Sequence, residues 1–262
     1  MSFHQPDHIR YLTFESFAVR GLTHAVFTRV GGESIGYLTS LNVGLTVGDD
    51  PQTVARNRQH AFNTLNRTTA SLSDSWLVHQ NNVKVYESPR PAQQQYPEKA
   101  DIILTDNPEV TLFMRYADCV PILLYDPVKR AIGLAHAGWQ GTVLKVARTA
   151  VEAMQTRYGS SPSDLRTAIG PSIGPDRYEV GPEVVERVRS AFGADALTLL
   201  PQYGSSTHFD LWEANRLTLH QAGVQQVELA GICTASNTQD WFSHRAENGK
   251  TGRFGVLLAL EE

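Results

Sequence analysis

The chain has 262 residues, 41% hydrophobic and 19% charged, with a formal net charge of −4. Such a chain is long enough for a sizeable core, and its charge gives no electrostatic footprint for nucleic acid or an anionic lipid surface. Its two cysteines, Cys119 and Cys233, are too few for a disulfide framework, and no stretch approaches the roughly 18 apolar residues needed to span a bilayer.

The opening MSFHQPDHIRYLTFE lacks a basic start followed by a long apolar run, so a cytoplasmic protein without a secretory signal is expected. THAVFTR then reads as a strand, followed by a glycine-punctuated loop from Gly31 to Gly48. DDPQTVARNRQHAFNTLN starts as a helix, with Asp50 as N-cap and Pro51 in the first turn. SWLVH, VKVYES, DIILT and VTLFMRY are short β-rich runs, and SPRPAQQQYPEK between them is loop-like. Val143, Leu144, Val146, Ala147, Ala150, Val151 and Met154 recur at helical spacing, with Gly159 at the expected stop. GPEVVERVRSAFG and DLWEANRLTLHQAG predict two more helices, and VQQVELAGI and GRFGVLLAL two more strands. With no repeat or long linker, the pattern predicts one α+β domain over residues 1–262, built on mixed sheets rather than regular βαβ alternation.

The stretch ADCVPILLYDPVKRAIGLAHAGWQG, Ala117 to Gly141, carries the chemistry. VPILLY and RAIGLAHA are strand-length apolar runs separated by DPVK, so a hairpin is the natural assignment. If Tyr125 and Arg130 flank a four-residue loop, Cys119 faces His136 directly, with Cβ atoms about 4.5–5.5 Å apart, close enough to share a metal ion. A one-residue slip would send one of them to the other face. AGWQGT then turns the chain from strand into helix, a weak signal for an anion at free backbone N–H groups. A catalytic zinc needs three protein ligands and one open position. His79, closing SWLVH, is the candidate third ligand; the plain alternative is three unrelated buried residues. A third option makes Cys119 a thiolate nucleophile with His136 as its base, in a hydrolase. A fourth is a binding module whose metal is structural, which needs a fourth protein ligand.

The chain resembles the polyphenol oxidase / purine nucleoside phosphorylase family, also called the multicopper polyphenol oxidoreductase or laccase-domain family. The resemblance runs in order through FTRVGG, SLNVG…VGDDP, NRQ, VHQNNV, ADCVPILLYD, HAGWQGT, IGPSIGP…YEVG, FDLW, CT and WFSHR…TGR. It implies a layered α/β/β/α sandwich and a zinc site made of His79, Cys119 and His136, which are then also the catalytic residues. It further implies phosphorolysis of purine nucleosides (adenosine, inosine, guanosine and methylthioadenosine) and deamination of adenosine. Purine nucleosides and phosphate are the expected partners, with a monomer as the default. The chain departs from the family pattern at Gln140 and Ala246, where the family usually has arginine, and at Leu77, where it usually has glutamine. Copper is the alternative metal, giving a laccase-like oxidase. A multicopper relay would need several ions held largely by imidazole, and the nine histidines are scattered without a His-x-His pair.

Arg58 in NRQ and Arg245 in FSHR are candidates for phosphate or ribose contacts, because guanidinium forks match oxyanions. Ser40 and Asn42 are candidate sugar or phosphate contacts, against the alternative of a loop shaped by glycine. Arg115 is a weaker candidate. Asp118, adjacent to Cys119, would point to the opposite face of a strand and is expected to be structural. Glu179 is an acid–base candidate or a turn residue, and Cys233 a buried structural thiol.

Overall fold

The apolar runs of the sequence become the strands of two mixed sheets. The computed structural model describes residues 1–91, 94 and 96–262. In chain order the elements are β1 (Ser2–His4), β2 (Tyr11–Thr13), β3 (Leu22–Phe27), α1 (Pro51–Thr64), β4 (Leu72–Ser73), β5 (Val83–Val85), β6 (Ile102–Thr105) and β7 (Thr111–Tyr116). Next come β8 (Val120–Asp126), β9 (Ala131–Ala137), α2 (Trp139–Val143), α3 (Val146–Tyr158), β10 (Arg166–Ile169), α4 (Pro182–Phe192) and α5 (Ala196–Leu199). The chain closes with β11 (Gln202–Tyr203), β12 (Ser206–Thr207), α6 (Leu211–Gln221), β13 (Gln226–Leu229) and β14 (Phe254–Leu260).

One sheet has the order β1-β2-β3-β14-β7-β4 and the other β13-β10-β8-β9-β6-β5; β11 and β12 form a small ribbon. Both sheets are mixed, with parallel pairs β4–β7, β5–β6 and β10–β13. Side chains alternate across each strand, so each central strand feeds two cores. Met114, Tyr116, Leu123, Leu134, Val256 and Leu258 pack between the sheets. Phe113 and Leu257 face outward onto Ala61 and Phe62 of α1. Ile122, Leu124 and Ala135 face the other way, onto Val151 and Met154 of α3 and Leu219 of α6. This is the α/β/β/α layering that the resemblance implies, and every residue of β8, β9 and β14 is buried. Each fully buried Leu, Ile, Val or Phe is worth roughly 1.5–3 kcal/mol against exposure, so these strands form a stiff base for whatever their ends carry.

The first helix forms as expected: the Asp50 side chain accepts from Thr53 N, with Pro51 in the first turn. Gly159 closes α3 in the left-handed conformation, also as expected. The periodic segment before it is not one helix. Lys145 takes φ 60°, breaking it into α2 and α3 and leaving Leu144 42% exposed. SWLVH is not a strand either; it makes one bridge, Trp76 to Lys99, because its following N–H groups turn to a carboxylate. Of the loop expected over residues 88–99, residues 92, 93 and 95 lie outside the described residues, and neighbouring Gln94 donates its N–H to Pro91 O. The strands β1, β2, β4 and β10 are too short, or too polar at their ends, to have stood out in the sequence.

The hairpin exists, with a different register. Asp126 pairs with Ala131 and Pro121 with His136, so the four-residue loop is Pro127–Arg130, one residue later than expected. The cause is local: the Asp126 side chain accepts from Val128 N and Lys129 N, and Arg130 takes φ 51°. Cys119 therefore does not face His136. The shift moves partners by two positions, so both side chains stay on one face as diagonal neighbours.

Candidate metal centre

Three chain segments meet where β8 begins and β9 ends. His136 is the penultimate residue of β9 and is 3% exposed. Cys119 is half-buried and immediately precedes β8, after Asp118 has turned the chain through φ 79°. His79 stands in an exposed loop with φ 58°. One ligand atom from each lies within 4.8 Å of the other two. Among the described residues no fourth histidine, cysteine or carboxylate joins this group.

Asp101, at the entrance to β6 and fully buried, holds two of the three in place. Its carboxylate accepts from His79 N at 3.0 Å, Gln80 N at 2.9 Å and Val78 N at 3.2 Å, so it shapes the His79 loop. It also accepts from Nδ1 of His136 at 3.0 Å, which leaves Nε2 of that ring as the free donor atom. Burial opposes the charge on Asp101, but bonds from His136 and the Gln80 and His79 N–H groups hold its carboxyl below the usual range. Burial likewise opposes ionisation of Cys119, and the charge and hydrogen bonds of His136, with His79, outweigh it and push the thiol down. For His136, burial opposes protonation and the Cys119 charge with the Asp101 bond outweighs it, pushing the imidazole up. Both shifts favour a thiolate beside an imidazolium.

The donor set suits a transition metal: one sulfur, two imidazole nitrogens and an aspartate behind one of the rings. His79 lies toward solvent, while Cys119 is half-buried and His136 buried. Gly138 lies against the trio. A Cβ there would sit 3.0 Å from Cys119 Sγ and 3.1 Å from His79 Cδ2.

Residues 23–261 match the family described as multi-copper polyphenol oxidoreductase laccase. The chain belongs to this family. It is 36% identical over 242 residues to the purine nucleoside phosphorylase YlmD of Bacillus subtilis, covering 90% of this chain and 87% of that protein. It is 30% identical over 244 residues to the purine nucleoside phosphorylase YfiH of Escherichia coli, covering 92% and 95%. The crystal structure of YlmD from Geobacillus stearothermophilus superposes with a TM-score of 0.92 at 33% identity, over 99% of each chain.

The remaining candidates scatter. Arg245 is exposed and stacks over Tyr178, 5.0 Å from the ring centre, while Nη1 donates to Glu179 O. Its backbone N–H donates to Asp118, which also accepts from Thr234 Oγ1, so Asp118 ties the Arg245 turn to the Cys119 turn. Glu179 accepts from Ser206 Oγ, on the far side of that contact. Ser40 accepts from Gly31 N and Gly32 N and donates to Arg29 O, and Asn42 bonds Gly44, Asp49 and Arg253; both spend their polar groups on the loop. Arg58 donates twice to Val43 O from the other side of the first sheet. Cys233 is buried and accepts from Gly174 N. Gln140 is exposed and Ala246 half-buried. Asp101, Gly138 and Tyr178 were not visible as site residues: an aspartate before a strand, a glycine after one and a loop tyrosine carry no local motif.

Proposed function

We propose that this protein is a zinc-dependent purine nucleoside phosphorylase acting on adenosine, inosine, guanosine and methylthioadenosine, with adenosine deaminase activity. The observation that carries the reading is the convergence of His79, Cys119 and His136 in a chain this similar to proteins named purine nucleoside phosphorylase. The reading includes residues 1–262 acting as one monomeric unit in the cytoplasm; among the described residues no helix is long and apolar enough to cross a membrane.

A zinc ion bound by the three ligands would supply a Lewis acid and an activated water at neutral pH. Asp101 fixes the His136 tautomer and presents Nε2, and its bonds to Val78, His79 and Gln80 hold the third ligand without a strand. Cys119, drawn toward the thiolate by the two histidines, supplies a ligand ready at pH 7. Gly138 leaves the space against the sulfur that any larger residue would fill. Arg245, stacked 5.0 Å over Tyr178, and the Tyr178 ring offer a guanidinium and an aromatic face to the ribose and purine. In phosphorolysis the phosphate oxygen bonds to C1′ as the glycosidic C–N bond breaks, and the purine leaves with the pair. Ser40 and Asn42 contribute by holding the glycine loop, which Arg58 braces through Val43 O.

Adenosine incubated with zinc-loaded protein, with and without phosphate, tests this. Adenine and ribose-1-phosphate only in the phosphate tube support the phosphorylase, and inosine in both tubes supports deamination. No product in either tube overturns the reading. Cys119→Ala and His79→Ala are expected to lose zinc and turnover together.

A second reading rests on the Cys119–His136 thiolate–imidazolium pair: a hydrolase with Cys119 as nucleophile. Rapid alkylation of Cys119 in metal-free protein that remains active would favour it. A copper-dependent oxidase fits less well, since the described residues contain one three-ligand group rather than several.

A further inference from the structure

On the outer face of the first sheet three guanidinium groups converge on one carboxylate. Asp74, following β4, is 2% exposed. It lies 2.7 Å from Arg115 of β7, 3.1 Å from Arg90 and 3.7 Å from Arg58 of α1. Arg115 also donates to Ser75 O, Arg58 to Val43 O and Arg90 to Gln94 O. Among the described residues no other carboxylate pairs with these three arginines. The arginine side chains are 11–16% exposed, so two surplus positive charges sit in a mostly buried place.

Such a surplus is costly. Burial and the neighbouring charge of Arg115, partly offset by Asp74, lower the Arg58 guanidinium to about 10. Arg90 Nε and Asp74 Oδ1 are buried and face each other at 3.1 Å without hydrogen-bond geometry, and neither has another partner among the described residues. One arginine would neutralise Asp74; the other two add only desolvation unless a second anion joins them. The three planar forks gather around the Asp74 carboxylate, and guanidinium forks match the geometry of an oxyanion.

We propose that Arg58, Arg90 and Arg115 form a binding site for a phosphate-type dianion, with Asp74 offsetting part of the charge and thereby setting the affinity. The site rests on its own charge and geometry. Only its use as the co-substrate site rests on the phosphorylase reading. The same chemistry fits inorganic phosphate or the phosphate monoester of a nucleotide.

The test is calorimetric titration of the zinc-loaded protein, without nucleoside, using inorganic phosphate in one arm and adenosine monophosphate in another. The expected result is one dianion per chain, weakened about tenfold or more in Arg90→Gln, which loses charge-assisted bonds. Asp74→Asn is expected to tighten binding, because it removes the competing negative charge. If Asp74→Asn fails to fold, Arg90→Lys, expected to keep part of the affinity that Arg90→Gln loses, replaces it. Tighter binding of the monophosphate that depends on Arg90 assigns the site to a nucleotide; Arg90-dependent inorganic phosphate assigns it to free phosphate. Wild-type protein that takes up neither anion, an Arg90→Gln affinity within twofold of wild type, or an Asp74→Asn protein that folds without tightening would each overturn the proposal. Retained phosphate binding without nucleoside cleavage would sink the phosphorylase reading alone.

Discussion

Replacing Asp101 by Asn probes how much of the metal centre is built behind its ligands. The change keeps shape and volume but removes the charge that four hydrogen bonds converge on. An amide oxygen still accepts from some of the four donors, while its NH2 group confronts at least one of them. Bonds to a charged group contribute about 1.5–3 kcal/mol against about 1 kcal/mol for neutral ones, and an unpaired buried donor costs about 1–3 kcal/mol. Roughly 3 kcal/mol of stability is therefore expected to be lost in Asp101→Asn, partly through loosening of residues 78–80. Metal affinity is expected to fall about 10- to 100-fold, as when a partner of a ligating histidine is removed. Competition against a chromophoric zinc chelator measures the second quantity, and urea unfolding of the metal-free protein the first. Zinc affinity within twofold of wild type would refute the positioning role of Asp101, whatever happened to stability.

Three further outcomes follow from particular contacts. Gly138→Ala places a methyl 3.0 Å from Cys119 Sγ while the backbone there is extended and unstrained; zinc affinity is expected to drop at least tenfold with little change in melting temperature, and an unchanged affinity would count against Gly138 as a wall of the site. His24 is buried and accepts from Phe14 N through Nε2, and burial lowers its pKa from 6.5 to about 4. Folding thus favours the neutral ring, so its contribution is complete above pH 6.5 and is lost as pH falls toward 4, by about 2 kcal/mol at pH 5. His24→Leu should lose that pH dependence in urea unfolding between pH 7 and 5; the same slope in both proteins would rule His24 out as its source. Asp50→Ala removes the acceptor for Thr53 N and is expected to lower the urea midpoint with an unchanged slope.

Much of this protein was legible one segment at a time. The Asp50 cap, the Gly159 stop, the apolar runs of β6 to β9 and the family motifs each depend on residues close in sequence, where spacing and turn chemistry decide the conformation. Even the shared face of Cys119 and His136 was readable, because strand alternation survives a two-position register shift although it would not survive a one-position shift. The register itself was not readable, since the side chain of Asp126 chose where the turn began. His79 was seen as the end of a strand, yet its loop conformation comes from a carboxylate 22 positions away, and no local pattern marks three N–H groups aimed at Asp101. The Asp74 cluster shows the same limit. Arg58 and Arg115 stood out only as separate candidates and Arg90 not at all, and it is the tertiary packing that gathers the three around one buried aspartate.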